Sequence, residues 1–137
     1  CFAFGTIDTR TSTLRLSSAA FPYPYYFSAA TGEIAELRVD SYPLGVRPDT
    51  TYQAIECILV PGDYLVFCSD GIIEATDGTG AQFGYERTVA ALRGGCRAGL
   101  SAEALLERVV GEVREFRGDT PQGDDQTVVV LRVGEAG

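Results

Sequence analysis

Histidine is absent from all 137 residues. That excludes an imidazole-based triad, a histidine zinc site and a histidine general acid within this chain. Cysteine is sparse, and Cys1, Cys57, Cys68 and Cys96 show no CxxC spacing. Cys57 and Cys68 fall inside apolar runs and read as small hydrophobes. A disulfide framework and a thiolate zinc site are not expected, and a reducing cytoplasm is the default compartment. Basic charge is also short. Eleven basic residues stand against 19 acidic ones, for a net charge of −8, which argues against nucleic acid and anionic membrane surfaces as partners. No apolar run approaches the roughly 18 residues of a membrane span. Nothing resembles a signal peptide, and no internal repeat or low-complexity linker breaks the chain.

What is present is ordinary globular composition, 45% hydrophobic and 22% charged, in a length that holds one core and is too short for two domains. The chain starts at Cys1 rather than Met, and is expected to be a piece of a longer protein. Its organising stretch is Tyr64-Leu65-Val66-Phe67-Cys68-Ser69-Asp70-Gly71-Ile72-Ile73-Glu74-Ala75, opened by a turn at Pro61-Gly62-Asp63. Five consecutive apolar or aromatic residues, Tyr64 to Cys68, predict a strand buried on both faces. A carboxylate where such a strand ends is costly to bury alone and calls for a partner, a cation being the usual one. Asp-Gly is equally a turn dipeptide, so this stretch by itself leaves a purely structural Asp70 open.

Before it, Phe2-Ala3-Phe4-Gly5-Thr6-Ile7 and Thr13-Leu14-Arg15-Leu16 flank a turn and predict a β-hairpin. Two prolines in Phe21-Pro22-Tyr23-Pro24 forbid a central strand or helix there. Tyr25-Tyr26-Phe27-Ser28 and Glu33-Ile34-Ala35-Glu36-Leu37 predict a second hairpin, with the aromatic cluster from Phe21 to Phe27 given to strand packing. Residues 51–60 alternate as a strand, and their adjacency to the stretch at 64–68 predicts an antiparallel pair. After the loop Thr76-Asp77-Gly78-Thr79-Gly80, a short helix is expected through Leu92, with Tyr85, Val89 and Leu92 on one face and a stop at Gly94-Gly95. Ser101 is a good N-cap for a second helix carrying the stripe Leu105, Leu106, Val109, Val110, Val113 and Phe116, ended by Gly118. Residues 126–133 close the chain as a buried, β-branched strand. The inventory of about seven strands and two late helices is α+β, with helices layered on a mostly antiparallel sheet.

Asp70 follows one buried strand, and Asp124-Asp125 precedes another. In an antiparallel arrangement these points share a sheet edge, and converging carboxylates repel unless a cation or proton intervenes. Oxygen donors without imidazole or thiolate favour Mg²⁺ or Mn²⁺ over zinc. Two unrelated turn-forming sites would show the same residues.

Pro43-Leu44-Gly45-Val46, Pro61-Gly62-Asp63, Ser69-Asp70-Gly71-Ile72-Ile73-Glu74-Ala75, Phe83-Gly84-Tyr85-Glu86-Arg87 and Asp124-Asp125-Gln126-Thr127 occur in the order seen in one family. It is the SpoIIE/RsbU-like bacterial branch of the metal-dependent (type 2C) protein serine/threonine phosphatases. Leu16-Ser17-Ser18-Ala19-Ala20-Phe21-Pro22 resembles that family's Ala-Gly-His-Pro segment, with Ala20 where relatives have Gly and Phe21 where they commonly have His. The resemblance implies an antiparallel β-sandwich flanked by helices, with residues 1–137 forming one partial domain, about the last two-thirds of the whole. It implies Asp70 and Asp124 as ligands of one metal in a two-metal Mn²⁺ or Mg²⁺ site. Asp125 stands next to that ligand, where many relatives have Asn, and Glu74 matches a position without an assigned role. The implied reaction is hydrolysis of phosphoserine or phosphothreonine by a water that the metals acidify. The implied substrate is a phosphorylated anti-sigma-factor antagonist in cytoplasmic partner-switching signalling. The family's upstream Gly-Asp-x-Ser-Gly-His-Gly stretch, whose Asp bridges the metals, has no counterpart here. The chain alone is therefore expected to be inactive and, with sheet edges uncovered, to self-associate. A non-catalytic regulatory domain of the same fold is the alternative.

Overall fold

The two alternating segments at the start of the chain pair as expected. Strands β1 (Phe2–Asp8) and β2 (Thr13–Ala19) run antiparallel, with Asp8 opposite Thr13. The turn between them is pinned by the Asp8 carboxylate, which accepts from the backbone N–H of Arg10 at 2.9 Å. The computed structural model describes residues 1–134. Within them, β5 (Ala54–Ile58) joins the other side of β2, and the order of this sheet is β1-β2-β5. The second hairpin, β3 (Tyr25–Ser28) with β4 (Glu33–Glu36), belongs to a different sheet. There β6 (Tyr64–Cys68) and β7 (Val128–Arg132) complete the order β4-β3-β6-β7, with every pair antiparallel.

Alternation along β6 explains the layering. Leu65 points one way and meets Leu14 and Leu16 of β2, with Tyr26, Ile55, Phe67 and Leu131 closing a core between the sheets. Tyr64, Val66 and Cys68 point the other way into a second core under the helices. The strand is buried on both faces, as its unbroken apolar run requires. Three helices cover that second face: α1 (Asp70–Ile73), α2 (Gly84–Arg97) and α3 (Ala102–Arg117). Ser101 caps α3 by accepting from Ala104 N–H at 3.1 Å, and Leu105, Val109 and Val113 are its buried stripe. The outer face of β1-β2-β5 has no such cover. Phe4 is 59% exposed and Ile58 69%, and β1 is an edge strand.

Four expectations change. Strands β5 and β6 do not pair, because Pro61-Gly62-Asp63 carries the chain from one sheet to the other. The fully buried Asp63 fixes that crossing. Its carboxylate accepts from Val60 N–H at 2.9 Å, Ala29 N–H at 2.8 Å and the Tyr26 hydroxyl at 2.6 Å, tying three segments together. Helix α2 does not stop at Gly94-Gly95. A Cβ at residue 95 would lie 2.4 Å from Leu105 Cδ1, so the glycine lets α3 pack closely instead of breaking the helix. Its buried face is Thr88, Ala91, Leu92, Gly95 and Cys96, while Tyr85 is exposed. Residues 70–73 form a turn of helix in addition to the two helices expected. Finally, β7 is an edge strand and only half buried.

Candidate metal centre

The end of β6 and the start of β7 meet as the sequence suggests. Cys68 pairs with Val128, so the segments beyond them run side by side. Ser69 clasps the two. Its N–H donates to Thr127 O at 2.9 Å, its hydroxyl donates to Asp125 O at 3.2 Å, and that same Oγ accepts from Thr127 N–H at 2.9 Å. Gly71 lies flat against the crossing chain, and a Cβ there would sit 2.2 Å from the Asp125 carbonyl oxygen. The Gln126 amide then donates to Gly71 O at 3.1 Å. Asp70 and Asp124 occupy matching places on the two segments and make the same local bond. Asp70 Oδ1 accepts from Gly71 N–H at 3.1 Å, and Asp124 Oδ1 accepts from Asp125 N–H at 2.8 Å. Each keeps its second oxygen free of protein donors among the described residues.

The backbone brings the two segments together, but the carboxylates serve different cavities. Asp70 lines a cleft of about 300 Å³ with Cys1, Ala20, Phe21, Tyr23, Asp40 and Tyr85. Asp124 lines one of about 380 Å³ with Glu74, Thr76, Arg117, Gln122 and Gln126. Among the described residues no three carboxylates, thiolates or imidazoles converge on one point. The Asp125 side chain is exposed, and its main contribution is the carbonyl that receives Ser69.

A family model described as Stage II sporulation protein E (SpoIIE) matches residues 1–134. The chain belongs to the SpoIIE family. Solved structures agree on the fold. The SiaA-PP2C domain of Pseudomonas aeruginosa is 28% identical, at a TM-score of 0.79 over 95% of this chain and 50% of that one. The phosphatase domain of SpoIIE from Bacillus subtilis, presoaked with Mn, is 16% identical, at a TM-score of 0.74 over 99% and 57%. The RsbU and RsbW domains of Rv1364c from Mycobacterium tuberculosis are 19% identical, at a TM-score of 0.72 over 98% and 36%. The chain thus spans from about a third to just over half the length of these structures. No curated protein matches it.

Asp70 and Asp124 are oxygen donors of the kind a hard cation such as Mg²⁺ takes, which needs only one or two carboxylates beside water and phosphate oxygens. Each stands in its own cavity with one oxygen free among the described residues. The two departures from the SpoIIE pattern are also visible. Ala20 holds a left-handed φ of 56°, a conformation that costs a non-glycine residue about 1–2 kcal/mol. Phe21 packs on Phe67 with ring centroids 6.3 Å apart, so an apolar ring lines the cleft where the pattern has an imidazole. Sequence reasoning missed Ser69, Gln122 and Gln126 as the residues that hold the loops, although all three neighbour the aspartates. It also missed the Tyr23 hydroxyl donating to Asp40 Oδ1 in the Asp70 cleft, a bond that raises the Tyr23 pKa. No signal links those two residues, because a whole hairpin separates them.

Proposed function

We propose that residues 1–137 are the later part of one metal-dependent protein serine/threonine phosphatase domain. The observation that carries this is the clasp of residues 69–71 against residues 124–127. It sets Asp70 and Asp124 on adjoining segments, each with an oxygen to spare. In this reading Asp70 and Asp124 hold Mn²⁺ or Mg²⁺, and Gly71 permits the close approach. Gln126 and Ser69 fix the loops, while Asp125 contributes through its backbone. The ion, when bound, supplies acidification of a water and neutralises charge on the phosphoryl oxygens. The substrate is a phosphoserine or phosphothreonine on a regulatory protein, an anti-sigma-factor antagonist in a bacterial cytoplasmic partner switch. The manganese presoak of the Bacillus subtilis neighbour supports the choice of ion. Among the described residues no helix is long and apolar enough to cross a membrane.

The test is phosphate release from a phosphoserine peptide with and without Mn²⁺, by the protein carrying the whole domain and by residues 1–137 alone. Asp70→Asn and Asp124→Asn should each cut the metal-dependent rate of the former by roughly 100-fold or more. The shorter chain should be inactive, and robust turnover by it would refute the reading of an incomplete site. The alternative, a phosphatase-like domain that binds without turnover, draws support from Phe21 and from the separate cavities of the two aspartates. Metal-independent peptide binding with no hydrolysis by the whole domain would favour it. Self-association of residues 1–137 through the open edge of β1 belongs to the same reading, and light scattering of a monomer at all concentrations would remove it.

A further inference from the structure

The loop joining β4 to β5, residues 37–53, lines an open depression of about 820 Å³. Asp40 and Ser41 line both this depression and the Asp70 cleft, so the two meet at those residues. The cleft has room for a phosphorylated side chain. The larger depression lies beyond it, where the rest of a bound protein would pass.

The loop is built as a platform. Thr50 Oγ1 donates to Arg47 O at 3.0 Å, and the Tyr52 hydroxyl donates to Pro43 O at 3.4 Å, so the segment is bonded to itself. It nevertheless presents Tyr42 at 46% exposure, Leu44 at 60% and Val46 at 60%. Beside them the Arg47 guanidinium lies 4.2 Å from the centroid of the Tyr42 ring. The cation–π contact holds the guanidinium beside the ring, and its five N–H donors suit a carboxylate acceptor. Arg47 makes no ion pair among the described residues, although the chain carries 19 acidic groups against 11 basic ones. Of the two carboxylates that line the same depression, Asp40 is engaged by Tyr23 and Asp49 lies more than 4 Å from the guanidinium nitrogens.

We propose that this loop is the docking site for the phosphoprotein itself, with Arg47 reading an acidic side chain near the phosphorylated residue and Tyr42, Leu44 and Val46 covering an apolar one. The inference rests on the phosphatase reading above and adds the class of substrate it accepts. Sequence preference then resides in the loop, while the chemistry resides at Asp70 and Asp124.

The experiment uses the protein carrying the whole domain and three probes. Two are phosphoserine dodecapeptides identical except for flanking residues, Glu in one and Lys in the other. The third is p-nitrophenyl phosphate. Wild type should favour the Glu peptide by roughly 10-fold in kcat/KM, mainly through KM, and Arg47→Glu should abolish or reverse that preference. Hydrolysis of p-nitrophenyl phosphate should be unchanged in Arg47→Glu. An unaltered preference in the variant, no preference in wild type, or an equal loss on all three probes would overturn the proposal. Fluorescence anisotropy of the labelled peptides separates the two readings. If wild type hydrolyses nothing yet binds the Glu peptide more tightly, and Arg47→Glu does not, docking stands and catalysis falls.

Discussion

The Asp125 carbonyl oxygen lies where a side chain on Gly71 would begin, 2.2 Å from an ideal Cβ position. No rotamer relieves a contact between a Cβ and a backbone carbonyl. Gly71→Ala must therefore push residues 124–126 away from α1, breaking the Gln126 bond to Gly71 O and separating Asp124 from Asp70. The expected cost is about 1–3 kcal/mol in stability, as for overpacking elsewhere. Loss of metal affinity should exceed what that destabilisation explains. Urea unfolding together with Mn²⁺ titration of the whole domain checks this, and unchanged metal binding would show that the close approach is incidental.

Asp63 makes a contrasting case, because its motif belongs to the fold and not to the chemistry. The carboxylate is fully buried and takes three donors from Val60, Ala29 and Tyr26. Asp63→Ala strands all three and should cost about 3 kcal/mol or more. Asp63→Asn keeps the shape but turns one acceptor into a donor, and should cost somewhat less. Chemical denaturation ranks the three proteins. A shift under about 1 kcal/mol for the alanine variant would mean that water replaces the carboxylate.

How much could be read beforehand follows from whether the controlling contacts are local. The hairpins β1-β2 and β3-β4 were legible because alternation and turn residues lie within each segment. The double burial of β6 was legible from its unbroken apolar run. The destination of β5 was not, since it is decided by Asp63 reaching Tyr26 and Ala29, more than thirty positions away. Likewise Gly94-Gly95 carries a local signal for a helix stop, while the space that α3 needs is a tertiary demand that overrides it. At the site, antiparallel pairing accounts for the segments of residues 69–71 and 124–127 lying side by side, while the Asp70 and Asp124 side chains enter separate cavities. The cavities that each lines depend on side chains from Cys1 to Gln126, and no spacing encodes them.

The glycines of α2 and α3 give a paired prediction. Gly95→Ala gains helix propensity worth up to about 1 kcal/mol, but its Cβ would meet Leu105 Cδ1 at 2.4 Å and Leu100 Cδ1 at 3.3 Å. The clash should win, for a net loss of about 1 kcal/mol or more. Gly111 sits in the exposed middle of α3 with nothing within 4 Å, so Gly111→Ala should stabilise by about 0.5–1 kcal/mol. Thermal melts of the two variants should move in opposite directions. A rise in both would mean that helix propensity alone governs the two positions, and a fall in both that Gly111 is not open to a side chain.

Buried thiols set an alkaline limit to stability. Burial pushes the Cys68 and Cys96 thiols from their ordinary 9.0 up to about 12. In the folded state each thiol holds its proton to higher pH than in the unfolded chain, so the unfolded state binds fewer protons above pH 9. Stability is thus level below that value and falls as pH rises toward 12, by up to about 1.4 kcal/mol per pH unit for each thiol. Burial also raises the Tyr26 phenol, from 10.0 to about 12, so its contribution begins one unit later. The interval between 9 and 10 therefore belongs chiefly to the cysteines. Urea midpoints measured across it should drop in the wild type and drop less in a Cys68→Ala, Cys96→Ala double variant, where only the Cys57 thiol, raised by burial and then by Asp63, still contributes among the cysteines. An equal slope in both proteins would assign the alkaline loss to other groups.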